Sequence, residues 1–219
     1  MKKTFIILAS IAPLASVADA QTIGTESITN FYFYDNDISQ DGRVRETDLS
    51  GNNTNLSLTG RLGWEGFSAN GATDTLSFYD SDTGRVRQTD LDGNNTALYL
   101  TGRLGWEGFG AANNMFYFYD ADTGNVRETD LAGNNTNLYA TGRLGWEGFS
   151  AADNHFYFYD ADTGNVRETD LAGNNTALYN TGKLGWDGFS ASSQVTIPEP
   201  SSTALLGLGA LGLIARRRR

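Results

Sequence analysis

Four tryptophans, Trp64, Trp106, Trp146 and Trp186, stand 42, 40 and 40 residues apart, each inside a Leu-Gly-Trp-(Glu/Asp)-Gly-Phe hexapeptide. The words between them repeat as well. Phe116 to Thr136 recurs unchanged as Phe156 to Thr176, and looser copies start at Phe31 and near Leu76. A period of about 40 residues is the length of one supersecondary unit, and a unit that small cannot bury its own apolar side. The chain must build its core by setting four copies of one piece against each other.

Helical repeats of this length need apolar residues at 3.6-residue spacing and few breakers. Each unit here holds several glycines, an Asn-Asn pair and a β-branched and aromatic bias, which is strand chemistry. Phe116-Tyr-Phe-Tyr119 is aromatic at every position and suits a strand covered on both faces. Asp-Thr-Gly follows as a tight turn. Asn125 to Leu131 then reads as a more polar strand, Ala-Gly-Asn-Asn as a second turn, and Thr136 to Leu144 as a third strand. Gly145 to Phe149 is a fourth short strand or a corner. The Asn-Asn-Thr sequons at Asn52, Asn94, Asn134 and Asn174 read first as turns.

Three or four antiparallel strands in about 40 residues describe one blade of a propeller. The phase of the repeat points to a closed ring. The first copy begins at Phe31 with no hexapeptide before it, and the last ends in Leu184 to Phe189 with no aromatic strand after it. The C-terminal piece can complete the blade that the N-terminal strand begins. The expected fold is therefore all-β, a four-bladed β-propeller. The alternative is an open antiparallel β-array, which would need capping units at its ends. Phe-Tyr-Phe-Tyr-Asp-Ala-Asp-Thr-Gly-Asn-Val also resembles the strand-turn-strand phrase of quinoprotein-type bacterial β-propeller repeats. The Gly-Trp-x-x-Phe element is similar to that of tachylectin-type lectin propellers.

The two ends have other textures. Residues 1–20 carry Lys2 and Lys3, an apolar run from Phe5 to about Ala15, and Ala18-Asp-Ala20, the pattern of a secretory signal peptide. Residues 21–30 are a polar lead-in, 31–192 the repeat domain, and 193–219 a tripartite tail. In that tail Pro198-Glu199-Pro200 precedes an apolar segment from Ala204 to Ala215 and four arginines, Arg216 to Arg219. This ending closely resembles the PEP-CTERM sorting signal. The resemblance implies export in a Gram-negative-type bacterium to the cell surface or extracellular matrix. Signal peptidase and an exosortase-type enzyme are the processing partners it implies. Twelve apolar residues rise only about 18 Å as a helix, short of a bilayer core of roughly 30 Å, so the segment touches the membrane transiently.

Removing both ends takes away six basic residues and Asp19, which moves the net charge from −10 to about −15. Such a domain has no electrostatic footprint for nucleic acid. Negative charge does suit divalent cations, and Asp37, Ser39, Asp41, Gly42 and Asp48 fall at positions 1, 3, 5, 6 and 12 of a calcium-type loop. Calcium at that loop is the one cofactor this pattern suggests. No helix-forming segment follows it, and the other copies are shorter there.

Catalytic parts are scarce. There is no cysteine and a single histidine, His155, at a position held by Met115 in the preceding unit. Glu128 and Asp130 recur in similar form in other units and read as solvated strand residues. The expected function is that of an exported, non-catalytic surface or matrix repeat protein. It would bind glycan multivalently, an exopolysaccharide being the partner class, or support adhesion. The four tryptophans serve either as core between blades or as sugar-stacking platforms. The alternative is a propeller enzyme or a cofactor-bearing quinoprotein-like protein.

Overall fold

The computed structural model describes residues 28–36, 41–71 and 73–193. The expected signal peptide and the sorting segment with Pro198, Glu199 and Pro200 lie outside them, as do Asp37 and Ser39. Among the described residues there is no helix.

Sixteen strands form four antiparallel four-stranded sheets, the blades of a closed propeller. From the axis outward, the first blade is β16 (Gly188–Ser193), β1 (Ile28–Asp35), β2 (Arg43–Asp48) and β3 (Asn53–Leu58). The second is β4 (Gly66–Asn70), β5 (Thr75–Asp80), β6 (Arg85–Asp90) and β7 (Asn95–Leu100). The third is β8 (Gly108–Ala112), β9 (Met115–Asp120), β10 (Asn125–Thr129) and β11 (Asn135–Ala140). The fourth is β12 (Gly148–Ala152), β13 (His155–Asp160), β14 (Asn165–Asp170) and β15 (Asn175–Asn180). The last strand closes the ring by pairing antiparallel with the first, Phe189 opposite Phe33 and Ala191 opposite Phe31. The offset phase of the repeat is the sequence trace of this closure.

Two boundaries differ from the sequence reading. The third strand of a unit stops at Ala140 rather than Leu144, because Thr141 and Gly142 leave the ladder, Gly142 at positive φ. The fourth strand starts at the end of the hexapeptide and runs on through Ser150-Ala-Ala152. It becomes the innermost strand of the next blade. Small residues belong there because four such strands crowd one axis. Serine hydroxyls stitch neighbouring inner strands, with Ser190 Oγ accepting from Ala69 N at 2.9 Å and Ser68 Oγ accepting from Ala111 N at 2.9 Å.

The aromatic second strand explains the packing between blades. Tyr119 stacks on Phe149 of the next blade at 5.3 Å and 17°, and meets Phe158 edge-on at 5.3 Å. Its hydroxyl donates to the carbonyl of Arg143 at 2.7 Å. Tyr34, Tyr79 and Tyr159 repeat this wedge at the other three junctions, each stacked on the inner phenylalanine of the next blade. Each also donates to the carbonyl of the residue equivalent to Arg143. The tyrosine inserts an apolar ring into the neighbour and satisfies its one polar atom there.

A second contact forms where the turn between a blade's third and fourth strands abuts the previous blade. Gly133 has a φ of 82°, and a β-carbon added to it would stand 2.1 Å from the carbonyl oxygen of Thr101. Only glycine combines that backbone with that approach. Arg103 reaches over the same point and donates to Gly133 O at 2.5 Å through Nη2.

Candidate functional site

The loops that lead into the inner strands carry the tryptophans and stand at one end of the axis. Strand β16 runs from Gly188, two residues after Trp186, to Ser193, five steps on and roughly 16 Å away. Ile28 pairs with Ser193, so both ends of the described domain lie at the end opposite the tryptophans.

Each tryptophan is half-buried. One part of the ring packs on the second-strand phenylalanine of its own blade, Trp146 on Phe158 at 6.0 Å and Trp64 on Phe78 at 6.1 Å. The tryptophans are thus neither fully enclosed core nor free platforms. The wedge between blades belongs to the tyrosines instead. Guanidinium groups lie over two of the indoles, Arg43 at 5.3 Å from Trp186 and Arg167 at 6.0 Å from Trp146. Two residues before three of the tryptophans, Leu104, Leu144 and Leu184 are each 59% exposed.

Inside the ring of tryptophans, Glu65, Glu107, Glu147 and Asp187 surround the mouth of the axis. Each carboxylate turns toward a hairpin turn and accepts a backbone N–H. Glu65 takes Ser81 N, Glu107 takes Ala121 N, Glu147 takes Ala161 N and Asp187 takes Asn36 N. Their repetition follows from a shared structural task. The mouth leaves a cavity of only about 10 Å³.

Of the calcium-type pattern, Asp37 and Ser39 lie outside the described residues, and Asp41 and Asp48 stand far apart. Asp41 ends the first hairpin turn at φ 55°, whereas Asp48 closes strand β2 at the other end of the molecule. Five extended steps separate Arg43 from Asp48, roughly 16 Å. Asp48 is also committed elsewhere. Its Oδ1 accepts Ser50 N and Asn52 N, and its Oδ2 accepts Asn52 Nδ2. These bonds hold its carboxyl below the usual carboxylate range. Asp90, Asp130 and Asp170 do the same in the other blades, so the sequon asparagines are turn residues.

Two further concavities among the described residues lie between blades, at the end that holds Ile28 and Ser193. One, of about 60 Å³, sits between the third and fourth blades and is lined by Tyr117, Glu128, Tyr139 and His155. Glu128, expected to be solvated, accepts from the hydroxyls of Thr136 at 2.7 Å and Tyr139 at 2.7 Å. Burial and the Glu128 charge push the Tyr117 phenol well above its ordinary value. Glu168 takes the same bonds from Thr176 and Tyr179 in the fourth blade. His155 Nδ1 lies 2.7 Å from Asp153 O, and Nε2 lies 3.7 Å from Glu168. Residue spacing alone does not reveal this tyrosine–glutamate–tyrosine grouping. Its members come from three neighbouring strands, and only the cross-strand register unites them.

Among curated proteins none matches the chain. Solved structures give distant likenesses. A chain of the nidogen/laminin complex is 14% identical, with 68% of this chain and 60% of that one covered and a TM-score of 0.42. Glutaminyl cyclase of Myxococcus xanthus is 14% identical, with 77% and 91% covered and a TM-score of 0.46. Hydrazine synthase of Kuenenia stuttgartiensis is 13% identical, with 57% and 38% covered and a TM-score of 0.36. Residues 196–219 match the model of the PEP-CTERM protein-sorting motif, and the chain thus carries the C-terminal signal of an exported, envelope-sorted protein handled by exosortase-type machinery.

Proposed function

We propose that this is a non-catalytic surface or matrix protein that binds glycan through equivalent sites on its ring. One observation carries the reading: half-buried tryptophans recur in the four loops at the end of the ring remote from Ser193. Sugar rings present C–H faces that stack on indole, while the adjacent guanidinium groups and carboxylates can meet hydroxyls. Weak contacts repeated on one rigid body gain avidity without a single strong site. Low-affinity binding to a polymer is the behaviour expected.

The test is a glycan array probed with the mature chain, followed by the same array with Trp64, Trp106, Trp146 and Trp186 replaced singly and in pairs by leucine. Each replacement should weaken polymer binding, and pairs should weaken it more than the sum of singles. Binding that is indifferent to all four tryptophans overturns this reading of the face.

A further inference from the structure

The second blade departs from the others at two positions that pair across neighbouring strands. Where the first, third and fourth blades carry Tyr32, Tyr117 and Tyr157 opposite Glu46, Glu128 and Glu168, the second carries Ser77 opposite Gln88. A tyrosine–glutamate pair has become a serine–glutamine pair, both partners changing together. Beside this pair lies a cavity of about 70 Å³ between the second and third blades, lined by Ser77, Gln88, Tyr99, Asn70, Asn113 and Phe116 among others.

Size does not distinguish this cavity from the 60 Å³ cleft at the next junction. Chemistry does. The next cleft contains Glu128, an acceptor-only carboxylate already engaged by two hydroxyls. The cavity beside Ser77 contains side-chain amides and hydroxyls, which offer donors and acceptors together and no charge. Its apolar lining is half-buried Met115 and Leu131 together with Phe116, which is itself buried and meets Tyr99 edge-on at 5.3 Å. Exposed Asn70 and Asn113 stand at the rim, so the cavity opens to solvent there.

We propose that this junction is a binding site for one uncharged pyranose residue of a glycan chain. A neutral sugar needs donors and acceptors in equal measure and an apolar surface for its C–H face, which is the inventory found here. At about 10–15 Å³ per water the cavity holds some five waters, so it seats one edge of a pyranose while the rest of the chain leaves through the rim. A uronate would place its carboxylate against a domain whose net charge is strongly negative. The site rests on the glycan-binding reading above and adds to it one location, at the end of the ring opposite the tryptophans, and one sugar class.

The experiment uses the mature chain with neutral oligosaccharides of glucose, galactose, mannose and N-acetylglucosamine, and glucuronate oligomers as the charged arm. Calorimetry reads stoichiometry, and saturation-transfer NMR reads which sugar protons are covered. Ser77→Tyr with Gln88→Glu gives the junction the residues that the other three blades carry. It should fold normally and lose one neutral-sugar site per chain. Tyr117→Ser with Glu128→Gln places the same serine–glutamine pair in the next cleft, which also carries Asp153 and His155, and should add at most one. If the first variant keeps its full stoichiometry while the tryptophan variants lose binding, the site is refuted and the general reading stands. If the wild-type chain prefers glucuronate, the neutral-sugar assignment fails. If it binds none of these oligosaccharides, both fail.

Discussion

Replacing Tyr119 isolates the contact on which the ring depends. The side chain is fully buried between two phenylalanines of the next blade, and its hydroxyl meets a backbone carbonyl. Tyr119→Ala removes a large buried ring and leaves a cavity, which costs about 3 to 5 kcal/mol. Tyr119→Phe keeps the ring and forfeits one hydrogen bond to Arg143 O, about 1 kcal/mol. In a domain of this size 1 kcal/mol moves Tm by about 2 to 4 °C. The alanine variant should therefore melt roughly 6 to 20 °C below wild type, and the phenylalanine variant about 2 to 4 °C below it. Urea titration followed by circular dichroism, with calorimetric melting alongside, measures both. Tyr79→Ala and Tyr159→Ala should fall in the same range, since those side chains make equivalent contacts. An alanine variant that loses less than about 1 kcal/mol would refute the wedge, because a buried aromatic cannot be removed that cheaply.

Other consequences follow from the same contacts. The junction between the first and second blades lacks the outer edge-on pair that Tyr99–Phe116, Tyr139–Phe156 and Tyr179–Phe31 make at the other three. Ser57→Tyr with Leu76→Phe should supply it and add about 0.5 to 1.5 kcal/mol in urea titration; no gain would mean that this junction is closed by something else. Tyr32, Tyr119 and Tyr159 are pushed up to about 12 by burial, so stability should hold below pH 10 and fall as pH rises from 10 toward 12. The turn aspartates Asp48, Asp90, Asp130 and Asp170 are held low by their asparagine bonds, so stability should also fall as pH drops below 3.8. Flat stability at either extreme would contradict those contacts. Because Asp48 is taken up by its own turn, millimolar calcium should leave Tm unchanged, and a rise that Asp41→Ala abolishes would restore the loop as a site.

Much of the architecture was legible because the repeat exposes its own phase. The tryptophan spacing counts the blades, and the missing hexapeptide before Phe31 shows which strand must return to close the ring. The inner strand was harder to see. Ser150-Ala-Ala152 has no alternation to mark it, since all its side chains are small and all are buried against other strands. In Phe116-Tyr-Phe-Tyr119 every residue is aromatic, so the sequence shows a doubly covered strand without saying which ring crosses to the next blade. The register answers that: Tyr119 faces forward with Val126 and Tyr139, and Phe118 faces back. The calcium pattern meets a related difficulty. Counting residues from Asp37 to Asp48 presumes a compact loop, and here the second half of that count is an extended strand. Ser77 and Gln88 stand where the other units carry tyrosine and glutamate, and only cross-strand pairing shows that they are one change.

Closure of the ring within one chain is the claim on which the rest stands, and a disulfide across β1 and β16 tests it most directly. The chain has no cysteine, and Asn30 pairs with Ser192 in the closing ladder. In Asn30→Cys with Ser192→Cys, oxidation should give an intramolecular bond, seen by peptide mass mapping in a protein that remains monomeric, with a higher Tm than its reduced form. Disulfide-linked dimers, or two thiols that stay free under oxidant, would contradict the closed four-bladed ring.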